Sequence, residues 1–214
     1  MSTSLIRQLF PNGNFILSHL NNSVDIQHSI IALLEDLITE KSEEKRKLIV
    51  LRSCEMNKQV ISETRALFGT LAGNLITPFD REDIFAVAAT LKSLSAKTDS
   101  LIRYLVQNKC RDNRTGLLIL VKSLVYASSE LVLVIHGLEN LKEPKTTWTN
   151  IEPFKSSWGE LNNLCEEKLV ETLDTIDSVK DILINIDIYG YFAAISLKLK
   201  ELAETLEEFI VKYA

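Results

Sequence analysis

The chain has 214 residues, 46% of them hydrophobic and 25% charged, which is the ordinary balance of a folded soluble protein. Its formal net charge is -5 and its sequence pI is about 5.4. This charge argues against a nucleic-acid binder, because such proteins need a basic patch that displaces counterions from phosphates. Three widely spaced cysteines without a C-x-x-C pair argue against a disulfide framework or a zinc cluster, and they favour a reducing cytoplasm.

Long helices are predicted from the N-terminus onward, because glycine and proline are scarce and apolar residues recur at steps of three and four. We predict six helices, at about 14–41, 43–75, 81–108, 115–141, 154–185 and 188–214, with breaks near 42, 76–80, 109–115, 142–153 and 186. The segment 142–153 is interpreted as an extended linker. The predicted fold class is therefore all-α, an elongated bundle of six long helices.

Two of these helices have a predicted buried face that the structure can test. The second helix is expected to bury Leu48, Leu51, Val60, Leu67 and Leu71. The last helix carries a heptad seam, expected to pack along its whole length, made of Ile188, Phe192, Ile195, Leu199, Leu202, Leu206, Phe209 and Tyr213.

One segment, at 115–141, is long and apolar enough to cross a membrane. Lys122, Glu130 and His136 lie inside it, and each charge would cost about 2.5 kcal/mol or more at that depth. We therefore interpret the segment as a soluble helix that is apolar nearly all round and central in the bundle.

The stretch TPFDREDI at 77–84 has the residue types that start a helix. Asp80 is predicted to be the N-cap and to accept from the amide of Asp83, while the Asp83 carboxylate reaches back as in a capping box. Phe79 and Ile84 are spaced as a hydrophobic staple, and Pro78 stops the preceding helix. On this interpretation Asp80→Asn is tolerated far better than Asp80→Ala.

Two stretches of the chain resemble a known family. The sequence FGTLAGNLITPFDREDI at 68–84 looks like the signature of the PhoU-like proteins that accompany low-affinity inorganic phosphate permeases, the Pit accessory proteins. The stretch LAETLEEFIVKYA at 202–214 is similar to the same family's C-terminus. The resemblance identifies a divergent member and implies two three-helix bundles, which divide the single domain 1–214 into sub-bundles of about 14–108 and 112–214.

Members of this family often hold iron or zinc with Glu-x-x-x-Asp motifs, whose carboxylates lie on one helical face. The resemblance places other residues at most of the matching positions: Gln59, Lys92, Ser93, Ala96, Ala193 and Leu197, with Glu55 as the one acidic remnant. An amide binds a cation more weakly than a carboxylate does, and Lys92 would repel it. We therefore expect no metal cluster and no cofactor.

Other side chains that could carry chemistry are better explained as structural. The remaining acidic pairs four residues apart are typical of solvated helix faces; they are Asp36 with Glu40, Glu167 with Glu171, Asp177 with Asp181, and Glu204 with Glu208. The three histidines, His19, His28 and His136, lack metal-binding spacing. Trp148 and Trp158 are expected to pack the fifth helix onto the bundle. With no phosphate loop and no nucleophile elbow, the sequence predicts a protein that is not an enzyme.

The leading hypothesis is a non-enzymatic regulatory protein of inorganic phosphate transport, located in the cytoplasm or at the inner face of the membrane. Its expected partner is a membrane phosphate permease or the permease's regulatory proteins, and membrane association is expected only through that partner. A homodimer is left open. The family-signature residues are Thr77, Pro78, Phe79, Asp80, Arg81, Glu82 and Asp83. A capping role of this turn is favoured, and the alternative is that it is also a docking surface, with Arg81 and Glu82 expected to be exposed. The alternatives are a carboxylate-bridged metal-dependent enzyme and a helical scaffold that self-associates through its heptad face.

Overall fold

The computed structural model describes residues 13–73, 77, 79–108, 114–140, 144–174 and 178–213. These ranges hold no strand, and the predicted all-α class is confirmed. They hold one 3-10 turn, Leu138–Asn140, and six helices: α1 (Gly13–Thr39), α2 (Glu43–Gly73), α3 (Arg81–Gln107), α4 (Arg114–Gly137), α5 (Pro144–Leu173) and α6 (Val179–Tyr213). Pro78, Cys110, Asp177 and the side chain of Trp148 lie outside the described residues.

The six helices share one hydrophobic core. In the first half of the chain α1, α2 and α3 pack on one another, and in the second half α5 lies between α4 and α6. The halves meet along two helix pairs, α1 with α4 and α3 with α6. Buried apolar side chains from all six helices form a single cluster. The division into two sub-bundles stays a prediction.

Two boundary predictions in the second half of the chain were wrong: the linker at 142–153 and the break at 186. The segment 144–153 is helical rather than an extended linker: Pro144 takes the first position of α5, where the missing amide hydrogen costs nothing, and Pro153 lies inside the helix. Its neighbours Ile151 and Phe154 are fully buried and hold that turn against the core. The predicted break at 186 is also absent, and α6 instead begins at Val179.

The predicted face of α2 is only partly correct. Leu48 and Leu51 are 62% and 66% exposed and lie on the outer side of the helix. The buried side carries Arg46, Ser53 and Thr64 together with Val60, Leu67 and Leu71. The apolar count favoured the wrong face at the start of α2 because the true buried face is polar there. In contrast, the seam of α6 from Ile188 to Phe209 is buried as predicted.

α4 lies at the surface and is not enclosed on all sides, so its predicted central position was wrong. It buries Leu120, Leu124 and Leu131, but Tyr126 and Leu133 are 53% and 52% exposed. By length and composition, two helical segments could cross a membrane, Gly116–Gly137 and Val179–Tyr213. Core helices of a bundle satisfy the same criteria, and both segments bury one face in the core.

A buried polar layer crosses the first half of the chain. Asp99 is only 1% exposed. One of its carboxylate oxygens accepts a hydrogen bond from the Ser53 hydroxyl at 2.8 Å, and the other forms an ion pair with the Arg103 guanidinium at 2.9 Å. In the same layer the Gln27 amide donates to the Thr98 hydroxyl at 3.3 Å. Because a buried polar group without a partner is costly, these bonds fix the levels at which α1, α2 and α3 face one another.

Arg46, in the first turn of α2, lies beside the last turns of α1 and α3. It is 4% exposed, and it donates to the carbonyl of Leu37 at 2.7 Å and to the carbonyl of Leu105 at 3.2 Å. These carbonyls belong to the last turns of α1 and α3, where backbone acceptors have no partner within their own helix. A positive charge also suits the negative ends of both helix dipoles. A single residue of α2 thereby ties two helix ends together.

We predict that Asp99→Ala lowers the free energy of unfolding by about 2 kcal/mol, because the buried Ser53 hydroxyl loses its acceptor. Urea unfolding measures the change. Lys92→Ala, an exposed change on the same helix, is the control and should stay within about 0.5 kcal/mol of the parent. Equal effects of the two changes would contradict a structural role for the polar layer.

Candidate functional site

The candidate site is the turn before α3, formed by Thr77 and by Phe79 to Asp83 and called here the signature turn. Asp80 has the backbone geometry of an N-cap, and its carbonyl accepts from the amide of Ile84 at 3.3 Å. Its side chain, however, makes no capping hydrogen bond. The Thr77 hydroxyl donates to the carbonyl of Phe79 at 2.7 Å. The predicted capping box is therefore wrong, although Asp80 does stand at the predicted cap position.

Both carboxylates of the turn bind the C-terminal end of α6 instead. The Lys212 ammonium donates to Asp80 and, at 2.9 Å, to Asp83. The Tyr213 hydroxyl accepts from the amide of Asp80 at 2.7 Å and donates to the carboxylate of Asp83 at 2.8 Å. We call these four residues the end clasp. They join positions more than 120 residues apart in the sequence, as with Lys212 and Asp83 at a separation of 129.

An aromatic cluster lies next to the end clasp. The Phe79 ring lies 5.0 Å from the Phe209 ring and 5.1 Å from the Tyr213 ring, measured between centroids, and the last two rings are 4.7 Å apart. Such tilted and edge-to-face pairs are favourable beyond the area they bury. Phe79 therefore serves the contact between α3 and α6, a role that the predicted staple within α3 did not include.

The environment of the end clasp shifts the pKa values of Asp83, Lys212 and Tyr213. Partial burial opposes ionisation of Asp83, but the hydrogen bonds from Lys212 and Tyr213 outweigh it, so the pKa of Asp83 is lowered. Hydrogen bonds to Asp80 and then to Asp83 raise the pKa of Lys212. Burial is the first cause that raises the pKa of the Tyr213 hydroxyl. All three shifts keep the carboxylate, the ammonium and the neutral phenol in the states that the clasp requires.

Few side chains of the signature turn are exposed to solvent. Glu82 is exposed and has no ion-pair partner among the residues that the structure describes. Arg81 is half-buried and engaged in an interaction, so only one of the two residues expected to be exposed is exposed. Phe85, one turn into α3, is 36% exposed, and its ring packs at a tilt against the Phe68 ring with 4.3 Å between the centroids. An exposed acid beside an accessible aromatic is a surface that can contact another protein.

Sequence reasoning missed Lys212 and Tyr213 as partners of the signature turn. A signal was present, because the two stretches that carry the family resemblance, 68–84 and 202–214, contain the two sides of the clasp. Nothing in either stretch alone shows that they meet. The contact depends on the antiparallel packing of α3 and α6.

The positions matched to the family's metal motif do not form a metal site. Glu55 is exposed and pairs with Lys58 at 3.7 Å. Six other positions, all exposed except the partly buried Ser93, are Gln59, Lys92, Ser93, Ala96, Ala193 and Leu197. Within the described ranges, no three His, Cys, Asp or Glu side chains are placed to hold a metal ion. The residues present therefore do not fit the family's cluster, and the expected absence of bound metal stays a prediction.

Two of those positions, Ser93 and Ala96, line an open groove of about 780 Å³ between α3 and α6. Other small residues in its wall are Ser100, Gly190 and Ala194. At one end the Tyr104 hydroxyl donates to Asp187 at 2.6 Å. The carboxylate in the groove is thus already engaged, and the rest of the wall offers little beyond hydroxyls, methyl groups and Lys97.

The histidines and Trp158 have structural partners. His19 contacts Glu63 at 2.6 Å, His28 contacts the Ser128 hydroxyl at 2.7 Å, and His136 contacts Asp25 at 3.0 Å. Each of these contacts joins α1 to α2 or α4. Trp158 packs against the core from α5, as predicted.

The fold is similar to that of two proteins of known structure. No protein-family profile matches the chain, and no curated protein sequence matches it. Two crystal structures from Shewanella oneidensis MR-1 do match. One is a PhoU-like protein, with a TM-score of 0.78, and the other is described as a PhoU-like phosphate regulatory protein, with a TM-score of 0.77. Each shares 13% sequence identity with this chain, and each alignment covers 92% of this chain and 99% of the other.

The chain has the PhoU-like fold. At 13% identity the likeness concerns the fold, and the function of the two neighbours is not transferred by it. Within this PhoU-like fold the end clasp joins the first half of the chain to the last helix. The signature turn is therefore anchored to the end of α6, and Glu82 lies exposed beside this anchor.

We predict that the end clasp contributes stability above about pH 4 and loses it in more acidic solution. The pKa of Asp83 in the folded protein lies below its ordinary value of 3.8, so the unfolded chain takes up the proton first. The ionised carboxylate therefore stabilises the folded state above that value, and the contribution disappears as the pH falls through the folded pKa. Asp83→Asn should flatten this part of the stability profile.

The measurement is urea unfolding of the parent and Asp83→Asn between acidic and neutral pH. Glu82→Gln, which removes the neighbouring exposed carboxylate, is the matched control and should keep the parent's profile. Parallel profiles for the parent and Asp83→Asn would contradict the clasp as a source of stability.

We also predict that the purified chain holds no stoichiometric transition metal, because the residues at the motif positions lack the carboxylates that would bind it. Elemental analysis of protein purified without chelator decides this. A content near one iron or zinc per chain would show that ligands come from elsewhere, and it would favour the enzyme alternative.

Proposed function

We propose that this protein is a non-enzymatic regulatory protein of inorganic phosphate transport that acts by binding a membrane phosphate permease or the permease's regulatory proteins. The observation that carries the proposal is the fold, which aligns over 92% of the chain with a protein described as a PhoU-like phosphate regulatory protein. The resemblance of 68–84 and 202–214 to Pit accessory proteins supports the narrower role at a low-affinity permease.

The signature turn is the proposed docking surface. Its backbone is held by the end clasp, so that binding would not have to order a loose loop. Glu82 projects from it without an ion-pair partner among the described residues. Cytoplasmic loops of membrane proteins carry an excess of Lys and Arg, to which such a carboxylate is complementary. On this proposal the protein lies in the cytoplasm and reaches the membrane only through its partner.

The enzyme alternative has less support. A carboxylate-bridged metal enzyme in a helical bundle needs several acidic ligands that converge from facing helices. The matched positions carry an amide, an ammonium, hydroxyl or apolar side chains instead, and Glu55 is committed to a surface pair with Lys58. A self-associating scaffold is compatible with the fold, and it would not by itself exclude the regulatory role.

The test is affinity capture with the tagged protein from detergent-solubilised native membranes, followed by identification of the proteins that co-purify. We expect a phosphate permease, or a protein that regulates one, among them. Glu82→Ala should weaken the capture while leaving the melting temperature nearly unchanged, because the residue is exposed.

Glu44→Ala is the matched control. Glu44 is also an exposed acid at the second position of a helix, but it lies in α2, whose first turn is next to the end of α3 and far from the signature turn. Capture of no transport-related protein by the parent would contradict the proposed function. Retention of the partner by Glu82→Ala would contradict only the docking role of the turn.

A further inference from the structure

The ammonium group of Lys212 occupies a cation site at the signature turn. It donates to the carboxylate of Asp80 and, at 2.9 Å, to the carboxylate of Asp83. The ammonium nitrogen also lies 5.4 Å from the centroid of the Tyr213 ring, which is within the range of a cation–π contact. Two carboxylates and an aromatic face suit a lysine or arginine side chain from any source. The chain's own lysine fills this site.

Lys212 balances part of a strong local negative charge. The signature turn carries three carboxylates within four consecutive residues, those of Asp80, Glu82 and Asp83. Its own cation, Arg81, is half-buried and engaged in an interaction. Glu82 is exposed and has no ion-pair partner among the described residues. Departure of Lys212 would therefore leave a surface that attracts basic groups strongly.

The contact of Lys212 is of the kind that exchanges easily. The side chains of Lys212, Asp80 and Asp83 are 47%, 66% and 29% exposed, so water reaches all three. Ion pairs between exposed side chains contribute little to stability, because water competes for the charges and a long side chain loses freedom. Lys212 also lies in the last turn of α6, and helix ends open more readily than helix centres.

The backbone of the turn does not depend on Lys212. The Tyr213 hydroxyl accepts from the amide of Asp80 at 2.7 Å, and the Phe79 ring packs against the rings of Phe209 and Tyr213. Asp80 stands at the N-cap position of α3, so its freed carboxylate could accept from a first-turn amide. Tyr213 and Phe79 therefore hold the turn, whereas Lys212 covers its charge.

We propose that Lys212 is an autoinhibitory contact: it occupies Asp80 and Asp83, and a basic segment of the partner docks by placing its own lysine or arginine there. This role of Lys212 rests on the proposed docking function of the signature turn, and it adds the chemistry of the partner segment. A single partner lysine competes poorly with Lys212, because a side chain of the same molecule has a high effective concentration. The partner segment therefore carries at least two cations, one for the site of Lys212 and one for Glu82.

The first test is the affinity of the purified chain for a fluorescently labelled octalysine peptide, measured by fluorescence anisotropy in about 0.1 M salt. Lys212→Met removes the charge of the side chain and keeps its length. We expect this variant to bind octalysine about threefold more tightly than the parent, because no exposed ion pair has to be broken first. Asp80→Asn and Asp83→Asn, added together to Lys212→Met, should abolish the gain.

Lys200→Met is the matched control. Lys200 lies on the same helix, is 46% exposed, pairs with Glu204 at 3.7 Å, and lies 6.0 Å from the centroid of the Trp158 ring. Its replacement changes the net charge by the same amount, but it lies about 18 Å along the helix from Lys212. This separation exceeds the screening length of about 10 Å in 0.1 M salt. Lys200→Met should therefore bind octalysine as the parent does.

The second test asks whether the peptide takes the place of Lys212. Partial burial would raise the pKa of Asp83, and the hydrogen bond from Lys212 lowers it. Lys212→Met should therefore raise the pKa of Asp83, which NMR of the side-chain carboxyl carbon follows. Saturating octalysine should lower this pKa again. Peptide that binds elsewhere on the acidic chain would leave the pKa of Asp83 unchanged.

Capture from detergent-solubilised native membranes distinguishes the role of Lys212 from the proposed function. An autoinhibitory Lys212 predicts that Lys212→Met captures more of the transport protein than the parent does. If Lys212 only positioned the turn, the same variant would capture less. Capture of no transport-related protein by the parent would contradict the proposed function, and the octalysine measurements would still decide the role of Lys212.

Three results would overturn the proposal. The first is equal octalysine affinity of the parent and Lys212→Met, and the second is an equal gain in Lys200→Met. The third is a pKa of Asp83 that does not respond to bound peptide. Circular dichroism checks that the helices are retained, and Lys212→Gln, which also lacks the charge, should reproduce the gain in affinity.

Discussion

Along α6, apolar side chains repeat at alternate steps of four and three, and α3 and α5 pack against this helix. α5 belongs to the same half of the chain as α6, whereas α3 belongs to the other half. Burial of the α6 seam therefore joins the two halves, together with the contact of α1 and α4. An exposed seam of seven large apolar residues would be costly, so this helix cannot leave the bundle without disrupting the whole core.

Apolar burial has little directionality, and a heptad seam alone would permit a shift by one repeat. Polar contacts at three levels remove that freedom. The end clasp sets the level of α6 against α3, the Asp99 layer sets α2 against α3, and Arg46 ties the last turns of α1 and α3 to the start of α2. Each contact joins residues that are distant along the chain, and a shift of one helix by a turn would break at least one of them.

The contrast between the buried core and the exposed surface also bears on function. The matched metal positions lack the carboxylates of the family's cluster, and the proposed function relies on surface contacts. The signature turn presents Glu82 at one end of the bundle, and the outer side of α4 presents Tyr126.

The sequence by itself determined the helical class, the seam of α6 and the start of α3 at Arg81, because periodicity and local turn chemistry act within a few residues. It did not determine which face of α2 is buried, since Leu48 and Leu51 fit the helical period as well as the polar face that the core selected. Nor did it place the helix boundary near 144, where contacts of Ile151 and Phe154 outweigh the tendency of Pro153 to interrupt a helix. Asp80 and Asp83 show the difference most clearly. Local rules assign them to their own helix, but the tertiary structure brings Lys212 and Tyr213 alongside, and a charged partner binds a carboxylate more strongly than a backbone amide does.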